Sequence, residues 1–229
     1  MLTSDQQVVL LHAIYNAFDR WSSRFPFACQ KGCATCCTQS VTMTSLEGEM
    51  IRTYLVEQGR GAEFAGPAFV STPSQNARLT TNGFVAAHLR GEDVEEPAGW
   101  DLHPCPFLAE DTCTIYPARP FGCRLFASLA SCAQTGAAEM PPGYLAASTI
   151  MLQLIEHLDQ NGRWGTLVEI LNGLAGEGRA EVFGEPTAPV PGFLIAPDER
   201  AAIEPLLYAL FDQEINGHTF EQWLHKARL

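Results

Sequence analysis

Four of the eight cysteines in this 229-residue chain fall within nine residues: Cys29, Cys33, Cys36 and Cys37. The other four, Cys105, Cys113, Cys123 and Cys132, form a second group, and the long segments outside the two groups have none. Buried structural cysteines scatter through apolar segments, whereas a tetrahedral or polynuclear metal site needs several thiolates converging on one point. The clustering predicts a metal site built from both groups, with all eight cysteines as candidate ligands.

The spacing of the first group allows two local geometries. On a helix its members fall at i, i+4, i+7 and i+8 and share one face. In a loop, Cys33 and Cys36 have the two-residue gap with which a knuckle grips one ion. Either way the adjacent pair conflicts, because successive side chains diverge by about 100° on a helix and more on a strand. One of Cys36 and Cys37 serves a second metal, a larger cluster or no metal. The expectation is two metal sites, or one polynuclear site with spare thiols.

Other residues near the cysteines suit a supporting role. Lys31 lies inside the first group, and Arg119 and Arg124 flank Cys123. Each can balance thiolate charge or donate to sulfur, although a solvated surface charge is the plainer reading for Lys31. Gly32 permits close approach of backbone to the site. His103, two residues before Cys105, is a candidate nitrogen ligand that ranks below the thiolates.

The elements that must position these residues are mostly helical. Ser4-Asp5-Gln6-Gln7 reads as a capping box ahead of an apolar stripe through Trp21, so a first helix delivers the chain into the first cysteine group. Thr44-Ser45-Leu46-Glu47 opens a second helix that runs to about Glu57, with Gly59 as its stop. A third is expected from Thr72-Pro73 to about Arg90. Cys105 to Leu108 and Thr112 to Tyr116 are short β-prone runs around Ala109-Glu110-Asp111, which predicts a hairpin with a cysteine on each arm. Pro117 to Pro120 leads into a turn or short helix carrying Cys123. Beyond Gly143 helical periodicity returns over Tyr144–Leu158 and around Trp164–Leu171. A glycine- and proline-rich arm (173–197) and two final helices, about 198–212 and 219–228, follow. The predicted class is mainly α: a helical domain with a small cysteine-bearing β-hairpin and irregular metal-binding loops. The predicted organisation is a cysteine-cluster domain over 1–135 and a helical extension over 136–229 packed on it, or one single domain.

Composition narrows the partners. With 46% hydrophobic residues the chain builds a core without disulfide staples. No apolar run approaches the ~20 residues of a membrane span, and the N-terminal stretch lacks the basic start and cleavage site of an export signal. The expected setting is a reducing cytoplasm. A net charge of −12 and only two lysines, Lys31 and Lys226, argue against a nucleic-acid groove. Metal is therefore the expected partner, and no protein partner is specified.

The two motifs together, Cys29-x3-Cys33-x2-Cys36-Cys37 and then Cys105-Pro106-Phe107-Leu108 with Cys113-Thr114-Ile115-Tyr116-x2-Arg119-Pro120-x2-Cys123-Arg124, resemble the bacterial YkgJ-like cysteine-cluster proteins. These are also described as zinc- or iron-chelating, or CxxCxxCC, domains. The resemblance spans about Phe27 to Cys132 and includes Ile-Tyr and Arg-Pro pairs that are not ligands. It departs at Cys29, where three residues rather than two precede the next cysteine. It implies zinc or an iron–sulfur cluster, and tips the choice toward the cluster. One branch of the family belongs to flagellin lysine methylases, so the resemblance also keeps open a metal- or cluster-dependent enzyme of methyl transfer or redox chemistry.

No separate catalytic constellation accompanies the cysteines. Cys29-x3-Cys33-x2-Cys36 matches the spacing of radical S-adenosylmethionine enzymes, but the chain lacks the strand–helix alternation of a β/α barrel. There is no Gly-x-Ser-x-Gly, phosphate loop or His-Glu-x-x-His. His157 reads as a polar-face residue, and His218 and His225 share a helix face without partners. The leading function is metal binding, with a structural, storage, transfer or sensing role.

Overall fold

A computed structural model describes residues 2–65, 79–94, 102–176 and 183–227. In chain order, α1 (Ser4–Ser22), β1 (Thr42–Thr44), α2 (Ser45–Glu57), α3 (Gly61–Ala65) and α4 (Thr81–Leu89) come first. The hairpin β2 (Leu108–Ala109) and β3 (Thr112–Cys113) and the short helices α5 (Phe121–Arg124) and α6 (Cys132–Thr135) follow. Next are α7 (Tyr144–Leu158), β4 (Arg163–Thr166), α8 (Leu167–Ala175) and β5 (Glu185–Pro186). Last come α9 (Arg200–Phe211), β6 (Glu214–Ile215), β7 (His218–Thr219) and α10 (Phe220–Ala227). The class is mainly α, as the sequence predicts.

Two cores organise these elements. The larger surrounds α7, a helix buried on nearly every side, with Ala147, Ile150, Met151, Leu154, Ile155 and Leu158 inaccessible. Helix α1 lays Leu10, Leu11, Ile14, Tyr15, Phe18 and Trp21 against it, the one-stripe pattern of an amphipathic helix. Helices α9 and α10 close its other sides through Ile203, Leu206, Leu210, Phe220 and Trp223. The smaller core lies between α2 and α8, where Ile51, Leu55, Leu167, Val168, Ile170 and Leu171 meet Met43, Phe107 and Ile115. A three-stranded antiparallel sheet, in the order β1-β4-β5, sits beside it.

Helix starts follow their caps. Thr44 opens α2 through a capping box in which its hydroxyl and the Glu47 carboxylate satisfy each other's backbone N–H groups. For α1 the box is one residue earlier than the sequence suggests: Thr3 caps, and Gln6 answers. Thr166 opens α8 in the same way with Glu169. Trp164, expected on that helix, lies instead in β4, so the helix begins later than its apolar pattern indicates. The capping sequence Thr72-Pro73 lies outside the described residues, and the described helix there, α4, starts from Thr80. Between α9 and α10, Asn216 and Gly217 turn a further hairpin at φ of 49° and 79°, the left-handed pair that a two-residue turn requires.

The glycine- and proline-rich arm is bound down rather than free where it is described. Ala188 N–H donates to Glu156 Oε1 at 2.8 Å, and the Gly192 carbonyl accepts from Gln153 Nε2 at 2.8 Å. Val190 N–H donates to His157 Nδ1, which leaves Nε2 to donate to the Leu224 carbonyl at 3.2 Å. His157 is thus a buried, satisfied link between helix and arm, and the polar-face expectation is corrected. His218 likewise has partners, Lys226 Nζ at 2.6 Å and the Trp223 ring.

Candidate metal centre

The first cysteine group is delivered by aromatic packing at the end of α1. Trp21, Phe25 and Phe27 all pack on Tyr144 at the start of α7, with ring centroids 5.3–6.1 Å away. That anchorage ends at Ala28, whose N–H donates to the Ser128 carbonyl at 2.8 Å. The cysteines follow in two successive tight turns, not a helix. Cys33 N–H closes the first on Gln30 O, and Cys37 N–H closes the second on Ala34 O, each at 3.0 Å. Gly32 has φ +88°, where an L side chain is strained, as the third position of a type II turn demands. The loop geometry, with its knuckle spacing, is therefore the one the chain adopts.

The second group is joined to the first by backbone pairing. Thr38 and Pro104 form an antiparallel bridge, Cys105 N–H donates to the Cys37 carbonyl at 2.9 Å, and Gln39 N–H donates to His103 O at 3.0 Å. Residues 37–39 and 103–105 are thus held edge to edge. The predicted hairpin follows at once. Glu110 and Asp111 form its turn at φ of 48° and 56°, and Cys113 stands opposite Leu108. Cys105 lies just before the paired strands, and both Cys105 and Cys113 pack against the smaller core beside Phe107 and Ile115.

Cys123 is positioned from the larger core. Phe121, wholly buried, packs on Phe18 at 4.8 Å and Tyr15 at 6.0 Å. Its N–H donates to Glu47 Oε1 at 2.7 Å, and the same oxygen accepts from Tyr15 Oη at 2.6 Å. Glu47 Oε2 meanwhile accepts from Thr44 N–H at 2.9 Å. This carboxylate, 1% exposed, ties α1, α2 and α5 together. Gly122 then lets α5 lie directly on β1, since a Cβ there would fall inside contact distance of the Thr42 carbonyl oxygen. Arg124 donates to the carbonyls of Arg119 and Pro117 and to Asp19, and its guanidinium lies over the Tyr15 ring. It braces the loop instead of donating to sulfur.

Cys132 begins α6, and its segment is tied back to the first group through Ser128. Ser128 O holds Ala28 N–H, and the Ser128 N–H donates to the Cys29 sulfur. The Ser128 hydroxyl accepts from Glu139 N–H at 2.9 Å, fixing the loop from the other side. An open cavity of about 650 Å³ is lined by Cys29, Lys31, Cys33, Pro104, Asp111 and Cys132 among others.

The electrostatics are those of crowded thiols. Burial pushes the Cys123 thiol well up, the charges of Cys105 and Cys113 add to this, and Arg119 opposes it. Burial also raises Cys105, where the Phe107 N–H to sulfur works the other way, and raises Cys29 against the Ser128 N–H. Cys36 and Cys37 share a sulfur–sulfur hydrogen bond that holds the proton on Cys36 and lowers Cys37 below an ordinary thiol. All eight cysteines are free thiols. Among the described residues no three His, Cys, Asp or Glu side chains converge tightly enough to hold an ion as they stand. What the backbone does is bring the two cysteine-bearing segments edge to edge.

One orphaned group fits an anionic centre. Arg119 stacks on Tyr116 at 4.1 Å, and its buried Nε has no hydrogen-bond partner. It lies within electrostatic reach of Cys36 and Cys123. An unpaired buried donor on an ionised group is costly, and a thiolate–metal centre would supply its acceptor. Lys31 is exposed at the cavity rim, and His103 joins the site through its backbone carbonyl. Sequence reasoning missed Glu47 and Ser128. The capping box marked Glu47 only as a helix start, and nothing in sequence pointed from Ser128 to Cys29.

The family model CxxCxxCC, described as "Putative zinc- or iron-chelating domain", matches residues 28–142, which hold all eight cysteines. No curated protein and no solved structure gave a match.

Proposed function

Taking as premise that the chain belongs to the CxxCxxCC family of zinc- or iron-chelating domains, we propose that it binds metal through Cys29, Cys33, Cys36, Cys37, Cys105, Cys113, Cys123 and Cys132. The observation that carries this reading is the antiparallel pairing of 37–39 with 103–105, which makes neighbours of two thiol groups distant in sequence. Bound metal would withdraw the thiol protons and neutralise part of the charge they leave. Arg119 would supply the balancing cation, and the Ser128 and Phe107 N–H groups would donate to coordinated sulfur. The role is to hold the metal for structure, storage, transfer or sensing in the cytoplasm, and an iron–sulfur centre is favoured over zinc. The helical part over 136–229 acts as scaffold.

A second reading, metal-dependent transfer or redox chemistry, draws on the open cavity beside Cys29, Cys33 and Cys132, which has room for a small co-substrate. An incomplete coordination sphere in the purified protein would favour it, and full thiolate ligation would favour the carrier or structural role. The test of metal binding is anaerobic purification followed by metal and sulfide analysis and an absorption spectrum. Iron with matching sulfide and broad charge-transfer absorption is the expected result. Colourless protein with zinc would keep metal binding and discard the cluster. Protein that retains neither, and takes up neither when supplied, would remove the proposal.

A further inference from the structure

We propose that Arg60 is a positioning residue of the metal centre: braced by Glu63, its guanidinium grips Thr114 and so fixes the strand that presents Cys113. This rests on the metal-binding reading above and concerns how one of its ligands is held.

Arg60 is put in place by the end of α2. Gly59 has φ +71°, its N–H donates to Val56 O at 3.0 Å, and Arg60 N–H donates to Leu55 O at 2.7 Å. That pair of bonds is a Schellman motif, in which a left-handed glycine closes the helix and directs the next residue. Leu55 is wholly buried in the smaller core, so the carbonyl that holds Arg60 belongs to a fixed residue. The glycine that stops the helix thus also places the arginine.

The side chain is oriented from one side and grips on the other. Arg60 Nε and Nη2 donate to the two carboxylate oxygens of Glu63 at 2.6 and 2.7 Å. Glu63 stands on α3, which Phe64 anchors in the smaller core. A guanidinium is planar, so a bidentate carboxylate sets the direction of its other donors. Nη1 donates to the Thr114 carbonyl at 2.9 Å, and Nη2 to the Thr114 hydroxyl at 3.2 Å. Thr114 N–H is itself given to Phe107 O at 2.9 Å. Every polar group of the residue after Cys113 is therefore held.

The hairpin needs that hold. Its strands β2 and β3 have two residues each, and a two-stranded hairpin is marginal at best in water. Cys113 ends β3, so the grip on Thr114 acts where the chain leaves the strand. The ion pair by itself adds little to stability, because its side chains are 29% and 47% exposed. What Arg60 supplies is placement.

The full chain, reduced and metal-free, is titrated anaerobically with cobalt(II), and thiolate-to-cobalt charge transfer reports the affinity. Arg60→Met should weaken cobalt binding about tenfold, the lower end for a residue that orients a metal ligand, and should leave the denaturant midpoint of the metal-free protein little changed. Arg60→Lys should not restore the affinity, because a point charge cannot serve Glu63 and both Thr114 oxygens in one plane. The deciding comparison is made on Cys113→Ser. There the sulfur that Arg60 positions is gone, and Arg60→Met should lower the affinity no further. Should Arg60→Met fail to fold, Glu63→Gln, which loosens the brace, takes its place in the same comparison with a smaller loss expected. An equal loss with and without the Cys113 thiol would make Arg60 a structural residue only. Undiminished affinity in Arg60→Met, or in Cys113→Ser alone, would also overturn the proposal while leaving metal binding intact. Failure of cobalt(II) and zinc(II) to bind at all would remove the metal-binding reading itself.

Discussion

The helical end of the molecule and its cysteine face treat buried polar groups differently. Around α7 the ionisable groups are answered by the protein. Glu156 accepts from the N–H groups of Asn82 and Ala188, both at 2.8 Å, and Asp159 Oδ2 accepts from Ser45 Oγ at 2.6 Å and Leu46 N–H at 3.0 Å. A neutral amide oxygen, Gln153 Oε1, is left without a partner there. At the cysteine face the orphan is a charged donor, Arg119 Nε, beside sulfurs of which several are exposed. A lone amide oxygen costs less than an unanswered guanidinium N–H, and the latter stands here beside free thiols. One end is folded for its own sake, and the other is folded to receive.

If the two ends are separable in this sense, residues shared by both should be the most damaging to lose. Phe121 fills the larger core and starts the helix that carries Cys123. Phe121→Ala should cost about 3–5 kcal/mol of unfolding free energy, the usual range for a buried phenylalanine, and should lower metal content as well. Denaturant titration and metal analysis of one sample check both. Loss of metal with unchanged stability would show that Phe121 does not couple the regions. Glu47 is the next such residue. Glu47→Ala strands the Tyr15 hydroxyl and the N–H groups of Phe121 and Thr44, which at about 1 kcal/mol or more each predicts about 3 kcal/mol.

Acid should separate the ends by sign. Burial raises the Glu156 and Asp159 carboxyls above their ordinary values, and their hydrogen bonds offset only part of this. The folded state therefore takes up these protons before the unfolded chain does. Their contribution to stability is fully present below the unfolded pKa and is lost as pH rises through the raised folded value. Lowering the pH from above the raised folded values toward the ordinary carboxyl range should thus strengthen this end of the metal-free protein, while protons compete with metal for sulfur at the other. Helical circular dichroism should persist at a pH where metal is released. Melting of the helices in step with metal loss would contradict the separation.

How much of this was legible in the sequence follows the same division. The cap at Thr44, the apolar stripe of α1 and the hairpin between Cys105 and Cys113 are local patterns, and the chain builds them where the sequence predicts. Trp164 misled because an apolar residue in a short run fits a strand as well as a helix. Asn216-Gly217 is a local hairpin signal, and the chain turns on it between Ile215 and His218. That the cysteine groups belong together could be inferred from clustering. The pairing of Cys37 with Cys105, and the Ser128 link to Cys29, depend on contacts between distant segments that no spacing encodes.

The smallest effect should come from the cation between the thiol groups. Arg119 contributes charge near Cys36 and Cys123, and a planar group stacked on Tyr116 with one buried donor unspent. Lysine would keep the charge and lose the fixed geometry of that donor. If the charge alone matters, Arg119→Lys should bind metal as the parent does. If Nε completes the site, Arg119→Lys should weaken metal binding about tenfold, ~1.4 kcal/mol, and Arg119→Met should weaken it further. Neither should alter the denaturant midpoint of the metal-free protein by much, because the Tyr116 ring on which Arg119 stacks is exposed. Equal affinity in all three proteins would mean that the orphaned donor is not answered by metal-bound sulfur, and the contrast between the two ends would lose its sharpest instance.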